Sequence, residues 1–312
     1  MSPPAPPRPS TPRPSTPRPS TPRLGTPRLQ TPRLGTPRLR TPRLRTPGAR
    51  LGALIVAVTL LAALLAPWIS PYDPDTLDVM NRFSAPTPAH WLGTDQLGRD
   101  LTSRLLHGAT VAMEVSLTSI ALALAIGTPL GILAASVSTA WERPLLILFD
   151  VISAFPSLVL ALAIVAVYGP SNEHLVAIVA ITLVPHFGRI ARAQTLSLRS
   201  APFLEAERIL GASATRVMLR HILPNIVGPL IVLASMEIPV VITIEAGLSF
   251  IGLGVRPPLA SWGTLIYDGY AYLSDSPLPV LFSSLALALA TLGFTLFGEG
   301  LRDATDPRSQ RQ

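Results

Sequence analysis

Six stretches of this chain are long enough and apolar enough to cross a lipid bilayer, and that property leaves few folds open. They run from about Leu51 to Ser70, Val115 to Ala140, Leu145 to Tyr168, Leu175 to Leu196, Ile226 to Gly252 and Leu278 to Gly298. A helix needs roughly 20 residues to traverse the hydrocarbon core. In lipid, backbone N–H and C=O groups must pair within the spanning structure, which favours helices over isolated strands. The expected fold is therefore an all-α polytopic membrane protein with six transmembrane helices. The fourth stretch is the shortest, because Arg189 follows only fourteen uncharged residues, so its tail is expected to run on as helix beyond the membrane.

Charge placement orients the bundle. All 25 basic residues are Arg. Eleven lie at or before Arg50, Arg143 stands alone, six fall between Arg189 and Arg220, and three follow the last apolar stretch. Cytoplasmic loops of membrane proteins are enriched in such residues. Placing the N-terminus inside leaves only Arg82, Arg99, Arg104 and Arg256 outside. Both termini and the segment around Glu205 are then cytoplasmic, in a multi-pass membrane protein.

Missing residue types exclude several chemistries. With no Lys, the chain cannot carry a phosphate-binding loop of the Walker type, which needs a Lys to reach the β- and γ-phosphates. Any ATP hydrolysis must take place on another polypeptide, and the chain itself is not expected to be an enzyme. With no Cys, disulfides and thiolate sites are ruled out. The five His, at 90, 107, 174, 186 and 221, show no ligand spacing, so no metal site is expected. Residues 1–50 are a different material. From Thr11 to Pro47 a Thr-Pro-Arg-x-x unit repeats, and Pro at that density prevents a helix. A disordered cytoplasmic tail is expected there, its Arg able to rest on anionic lipid.

Two polar segments carry the most specific spacing. The first reads Glu205-Ala206-Glu207, three residues, Gly211, nine residues, then His221-Ile222-Leu223-Pro224. Ser200-Ala201-Pro202 offers a helix start, and Phe203, Leu204, Ala206, Ile209 and Leu210 share an apolar pattern that leaves Glu205 and Arg208 on another face. Gly211 permits a left-handed turn, Ser213 can cap a second helix, and Pro224 opens the next span. The expected shape is a helix-turn-helix lever within about residues 200–224. The second segment reads His90-Trp91-Leu92-Gly93-Thr94-Asp95-Gln96-Leu97-Gly98-Arg99-Asp100, followed by Ser103-Arg104 and Gly108-Ala109. It falls in the expected extracytoplasmic loop, residues 71–108, where Asp95, Arg99 and Asp100 can pair locally and brace the first two helices.

The first spacing resembles the loop by which membrane subunits of bacterial ABC importers grip their ATPases, Glu-Ala-Ala-x3-Gly-x9-Ile-x-Leu-Pro. Glu207 and His221 depart from that pattern. The second segment looks like the C-type permease subunit of the dipeptide and oligopeptide importers. Ala154-Phe155-Pro156-Ser157, Leu248 to Gly254, Ser261-Trp262-Gly263 and Gly300-Leu301-Arg302-Asp303 agree with it. The likeness runs from about Leu51 to Arg308 and leaves the repeat outside. It implies a type I ABC importer permease fold, with a core over about 109–300 and a cytoplasmic tail at 301–312. It also implies a homologous second permease subunit, two ABC ATPase subunits that bind ATP and Mg, and an extracytoplasmic substrate-binding protein; nothing suggests nucleic acid. Phe203, Glu205, Ala206, Arg208, Gly211, Leu223 and Pro224 would couple to the ATPases. Gly93, Thr94, Asp95, Gly98, Arg99 and Asp100 would form the outer cap or a docking surface for the binding protein.

Di- or oligopeptides are the expected cargo, with nickel chelates or another small solute as the alternative. An ATP-independent secondary transporter would leave the Glu205 segment unexplained, and no segment outside the tail is long enough for the folded domain of a membrane-anchored scaffold. Acidic residues inside spans are costly and tend to face protein or water. Glu237 is the deepest and a possible pathway residue, whereas Asp150 and Glu245 are expected to serve packing. Pro129, Pro156, Pro185 and Pro239 each free a backbone carbonyl within a span.

Overall fold

The computed structural model describes residues 46–136, 139–256 and 258–305. The expectations for the repeat up to residue 45 and for the last seven residues lie outside these. Helices make up most of the described chain: α1 (Pro47–Ile69), α2 (Leu101–Ser136), α3 (Thr139–Ala154), α4 (Ser157–Tyr168), α5 (Asn172–Arg199), α6 (Pro202–Ile209), α7 (Ala214–Val217), α8 (Leu223–Phe250), α9 (Trp262–Tyr270) and α10 (Leu278–Thr305). Five helical runs are long and apolar enough to span a membrane, and a sixth appears if the bent pair α3–α4 counts as one. Among the described residues the one β-type pairing is an isolated bridge between Thr94 and Asp100.

Local chemistry sets the boundaries, and some differ from expectation. The first helix begins at Pro47 rather than Leu51, because the Thr46 hydroxyl accepts the Ala49 N–H at 3.2 Å and Pro suits a first helical turn. Helix α2 starts at Leu101, so the last part of the expected outer loop is already helical. Its start is capped by Asp100, whose Oδ2 accepts the Ser103 N–H and hydroxyl, both at 2.8 Å. The third expected span is not one helix. Proline disfavours the α conformation in the residue before it, so Phe155 leaves the helix at Pro156, and α3 and α4 meet at 85°. The fourth span does continue as helix past Arg189, to Arg199.

Helices α2 and α5 form the spine. Ser119 donates to the Val176 carbonyl at 3.2 Å, and a Cβ at Gly127 would lie 2.6 Å from the Val184 carbonyl. One at Gly131 would overlap the Gly188 carbonyl oxygen. The offset is 57 residues at all three points, so the two helices run parallel in fixed register, backbone against backbone, as small residues allow in membranes. Two apolar clusters fill the bundle. One joins Val115, Ile132, Phe149, Leu183, Phe187, Leu204, Ile226 and Leu248 across α2 to α8. The other joins Val56, Met113, Ile242, Trp262 and Phe294 from α1, α2, α8, α9 and α10. Helices α2 and α8 contribute to both.

Candidate functional site

At one end of the bundle α6 lies on the surface, anchored by one side. Leu204 is fully buried in the larger cluster and Phe203 packs against it, its ring 6.3 Å from that of His221. Glu205 and Ala206 are exposed, and Ile209 and Leu210 are about four-fifths exposed. The side chain of Arg208 lies outside what the structure describes. Gly211 ends the helix at φ +82°, and the Ala212 N–H reaches back to the Glu207 carbonyl at 3.0 Å, a left-handed cap. Nothing lies within 4 Å of where a Gly211 side chain would stand. Ser213 caps α7 by accepting the Arg216 N–H at 3.3 Å. The two positions that depart from the family spacing meet here, His221 Nε2 standing 3.5 Å from Glu207 Oε1.

The second helix starts at the Ser213 cap as expected, but it does not stop before the next span. Helix α7 passes through a wide π turn, Met218–Ile222, straight into α8, with the Leu223 N–H bonding the Met218 carbonyl. The cause is Pro224, which has no N–H to give and whose ring would crowd the carbonyl four residues back. One extra residue in the turn relieves both problems. Leu223 packs on the larger cluster and Pro224 is exposed.

The opposite end carries a cap built around buried charge. Asp95 and Arg104 are 1% and 2% exposed. Asp95 Oδ1 accepts the N–H groups of Leu97 and Arg99 at 2.8 and 3.0 Å, and Oδ2 accepts Arg99 Nε at 2.7 Å. Arg104 Nε stands 3.4 Å from the same oxygen, and its Nη1 bonds the Pro74 carbonyl. Arg99 also reaches Asp268 of α9 at 3.7 Å, while Asp100 Oδ1 meets His90 Nδ1 at 2.9 Å. Thr94 is fully buried, and its hydroxyl accepts the Ser84 N–H at 2.9 Å. Gly93 and Gly98 have φ of +84° and +75°. The Asp95–Arg99 pair was legible at i, i+4 spacing. Arg104, Pro74 and Asp268 are remote in sequence, and no local signal connects them to it.

Glu237 lies midway along α8, 8% exposed, with its Oε1 3.1 Å from His186 Nδ1 on α5. Asp150 is largely exposed and pairs across helices with Arg189 of α5 at 2.8 Å, a bond of the interhelical kind expected of it. Glu245 is fully buried, and it accepts the Ser249 hydroxyl at 2.7 Å within its own helix α8. Sequence reasoning passed over His186, although Thr182, His186 and Arg189 recur at helical spacing on one face. Among the described residues no group of three or more His, Asp or Glu side chains stands close enough to hold a metal ion.

Residues 127–311 match the model of the binding-protein-dependent transport system inner membrane component family, and residues 44–86 match that of the N-terminal TM domain of oligopeptide transport permease C. The chain is 36% identical over 260 residues to the dipeptide transport system permease protein DppC of Alkalihalophilus pseudofirmus, covering 83% of this chain and 86% of that one. It is 38% identical over 261 residues to the glutathione transport system permease protein GsiD of Escherichia coli, with the same coverage. In fold it is similar to an inward-facing structure of the MetNI methionine ABC transporter, with a TM-score of 0.53 and 16% identity over 65% of this chain and 97% of that one. At 83% coverage the matches to these relatives take in both polar segments and the helices between them, and the chain belongs to the inner-membrane components of binding-protein-dependent transport systems as an ABC importer permease of the dipeptide and oligopeptide C type.

Proposed function

We propose that this chain forms half of the translocation pathway of an ATP-driven importer of di- or oligopeptides. A homologous permease completes the pathway, two ATPase subunits bind ATP and Mg, and a binding protein delivers cargo at the cap face. Relatives named for dipeptide and glutathione transport support a peptide cargo. Arg placement supports cytoplasmic termini, with α6 on the side where ATP is available. The chain catalyses no bond chemistry; it transmits motion.

The carrying observation is α6 itself. Leu204 and Phe203 hold it to the bundle while Glu205, Ala206, Ile209 and Leu210 are left to solvent. A short helix with one face anchored and an apolar rim exposed beside a carboxylate fits a groove on a partner. Glu205 supplies charge-assisted hydrogen bonds to an Arg or to backbone amides there. Closure of the ATPases would displace α6 and open the pathway outward, and their separation would return it. Glu205→Arg is expected to abolish uptake and cut recovery of the ATPase subunits in detergent pull-downs while membrane level stays normal. Full uptake by that variant would remove α6 from the coupling path.

A further inference from the structure

Helices α5 and α8 are each 28 residues long, and His186 and Glu237 occupy the fifteenth position of each. At 1.5 Å per residue, their contact lies roughly 20 Å from either helix end, midway along both helices. Arg189 follows one turn along the same face of α5 and binds Asp150 Oδ1 at 2.8 Å and Ser153 Oγ at 3.3 Å, both on α3. Three helices thus present a row that is acidic at both ends and basic between them: Glu237, His186, Arg189, Asp150. The side chains of His186, Arg189 and Asp150 are 52%, 46% and 72% exposed.

Lipid does not suit such a row, since one ionisable group at a helix centre costs about 2.5 to 3.5 kcal/mol to insert. Water does suit it, and one further feature marks this face as wet. The chain breaks from helix at Phe155–Pro156, two residues past Ser153, and irregular backbone at membrane depth persists only inside protein or beside a water-filled cavity.

We infer that this row reads the two charged ends of a peptide in transit. Glu237 takes the ammonium group in exchange for His186, and Arg189 takes the terminal carboxylate in exchange for Asp150. His186, which holds Glu237, and Arg189 are three apart on α5, so about 5 to 6 Å apart on one face. The two sites are thus neighbours, which favours short peptides with both ends charged over blocked ones. This assignment rests on the peptide-importer reading above.

The test is uptake by the whole transporter in proteoliposomes, comparing Ala-Ala, N-acetyl-Ala-Ala and Ala-Ala amide with one binding protein throughout. Glu237→Gln should slow Ala-Ala about tenfold and leave the acetylated peptide unchanged. Arg189→Gln should slow Ala-Ala and leave the amide unchanged, and it carries the test alone if the first variant fails to accumulate. Equal slowing of all three peptides, an unaltered preference, or loss of the second permease from the purified complex would overturn the inference. If the wild-type transporter imports none of them while its binding protein still stimulates ATP hydrolysis, the peptide reading itself falls and takes this one with it.

Discussion

Two glycines with nearly the same backbone conformation are expected to respond differently to substitution. Gly98 and Gly211 have φ of +75° and +82°. A side chain at Gly98 would run into the backbone carbonyl of Asp78, whereas one at Gly211 would meet nothing. The left-handed conformation alone costs an L-residue about 1 to 2 kcal/mol, so Gly211→Ala should fold and insert with at most that loss. Gly98→Ala adds a backbone collision that no rotamer relieves, and should open the cap. Limited proteolysis of the solubilised protein separates the two: cleavage within residues 71–100 should rise for Gly98→Ala and stay at the parental level for Gly211→Ala. The buried pair at Asp95 shows the same dependence on surroundings. A carboxylate holding two buried guanidinium groups becomes indispensable once folded, because removing one member of a buried ion pair typically costs about 3 to 5 kcal/mol.

At the scale of elements, the α2–α5 spine is the most constrained contact. Gly131→Leu would force the helices apart where the Gly188 backbone now sits, and the constant register spreads that displacement along both. The variant should fail to accumulate or lose its partners, while Leu at exposed Gly228, where a Cβ meets open space, should be tolerated; membrane abundance by immunoblot decides it. The helices themselves were legible because apolar length is a local property, and so were Pro202, Gly211 and Ser213, whose roles are fixed by their own backbone positions. The break at Phe155–Pro156 was read only as a freed carbonyl, since a span counted by hydropathy alone does not register direction. The meeting of His186 with Glu237 was not legible, because it depends on α5 and α8 becoming neighbours across 51 residues of sequence. Arg104 is nine residues from Asp95, and their meeting depends on how the loop before α2 folds back on that helix.

Across the whole molecule, both apolar clusters share α2 and α8, so displacement at α6 and α7 bears on a helix that packs against both halves. The proposed orientation makes a direct prediction in a chain that has no Cys of its own. Ala206→Cys should resist a membrane-impermeant thiol reagent added outside intact cells and react after permeabilisation; labelling from outside would invert the topology and remove the ATPases from reach of α6. The cap and the Asp150–Arg189 pair also differ in how they meet their surroundings. The charges of the cap are sealed within protein, where dissolved ions screen weakly, whereas Asp150 and Arg189 are open to solvent and subject to screening. In the proposed orientation the cap faces the compartment whose salinity the cell does not control. Its shape should therefore hold from brackish to dilute conditions, leaving the delivery end of the transporter indifferent to osmotic changes that would loosen a cap held by surface ion pairs.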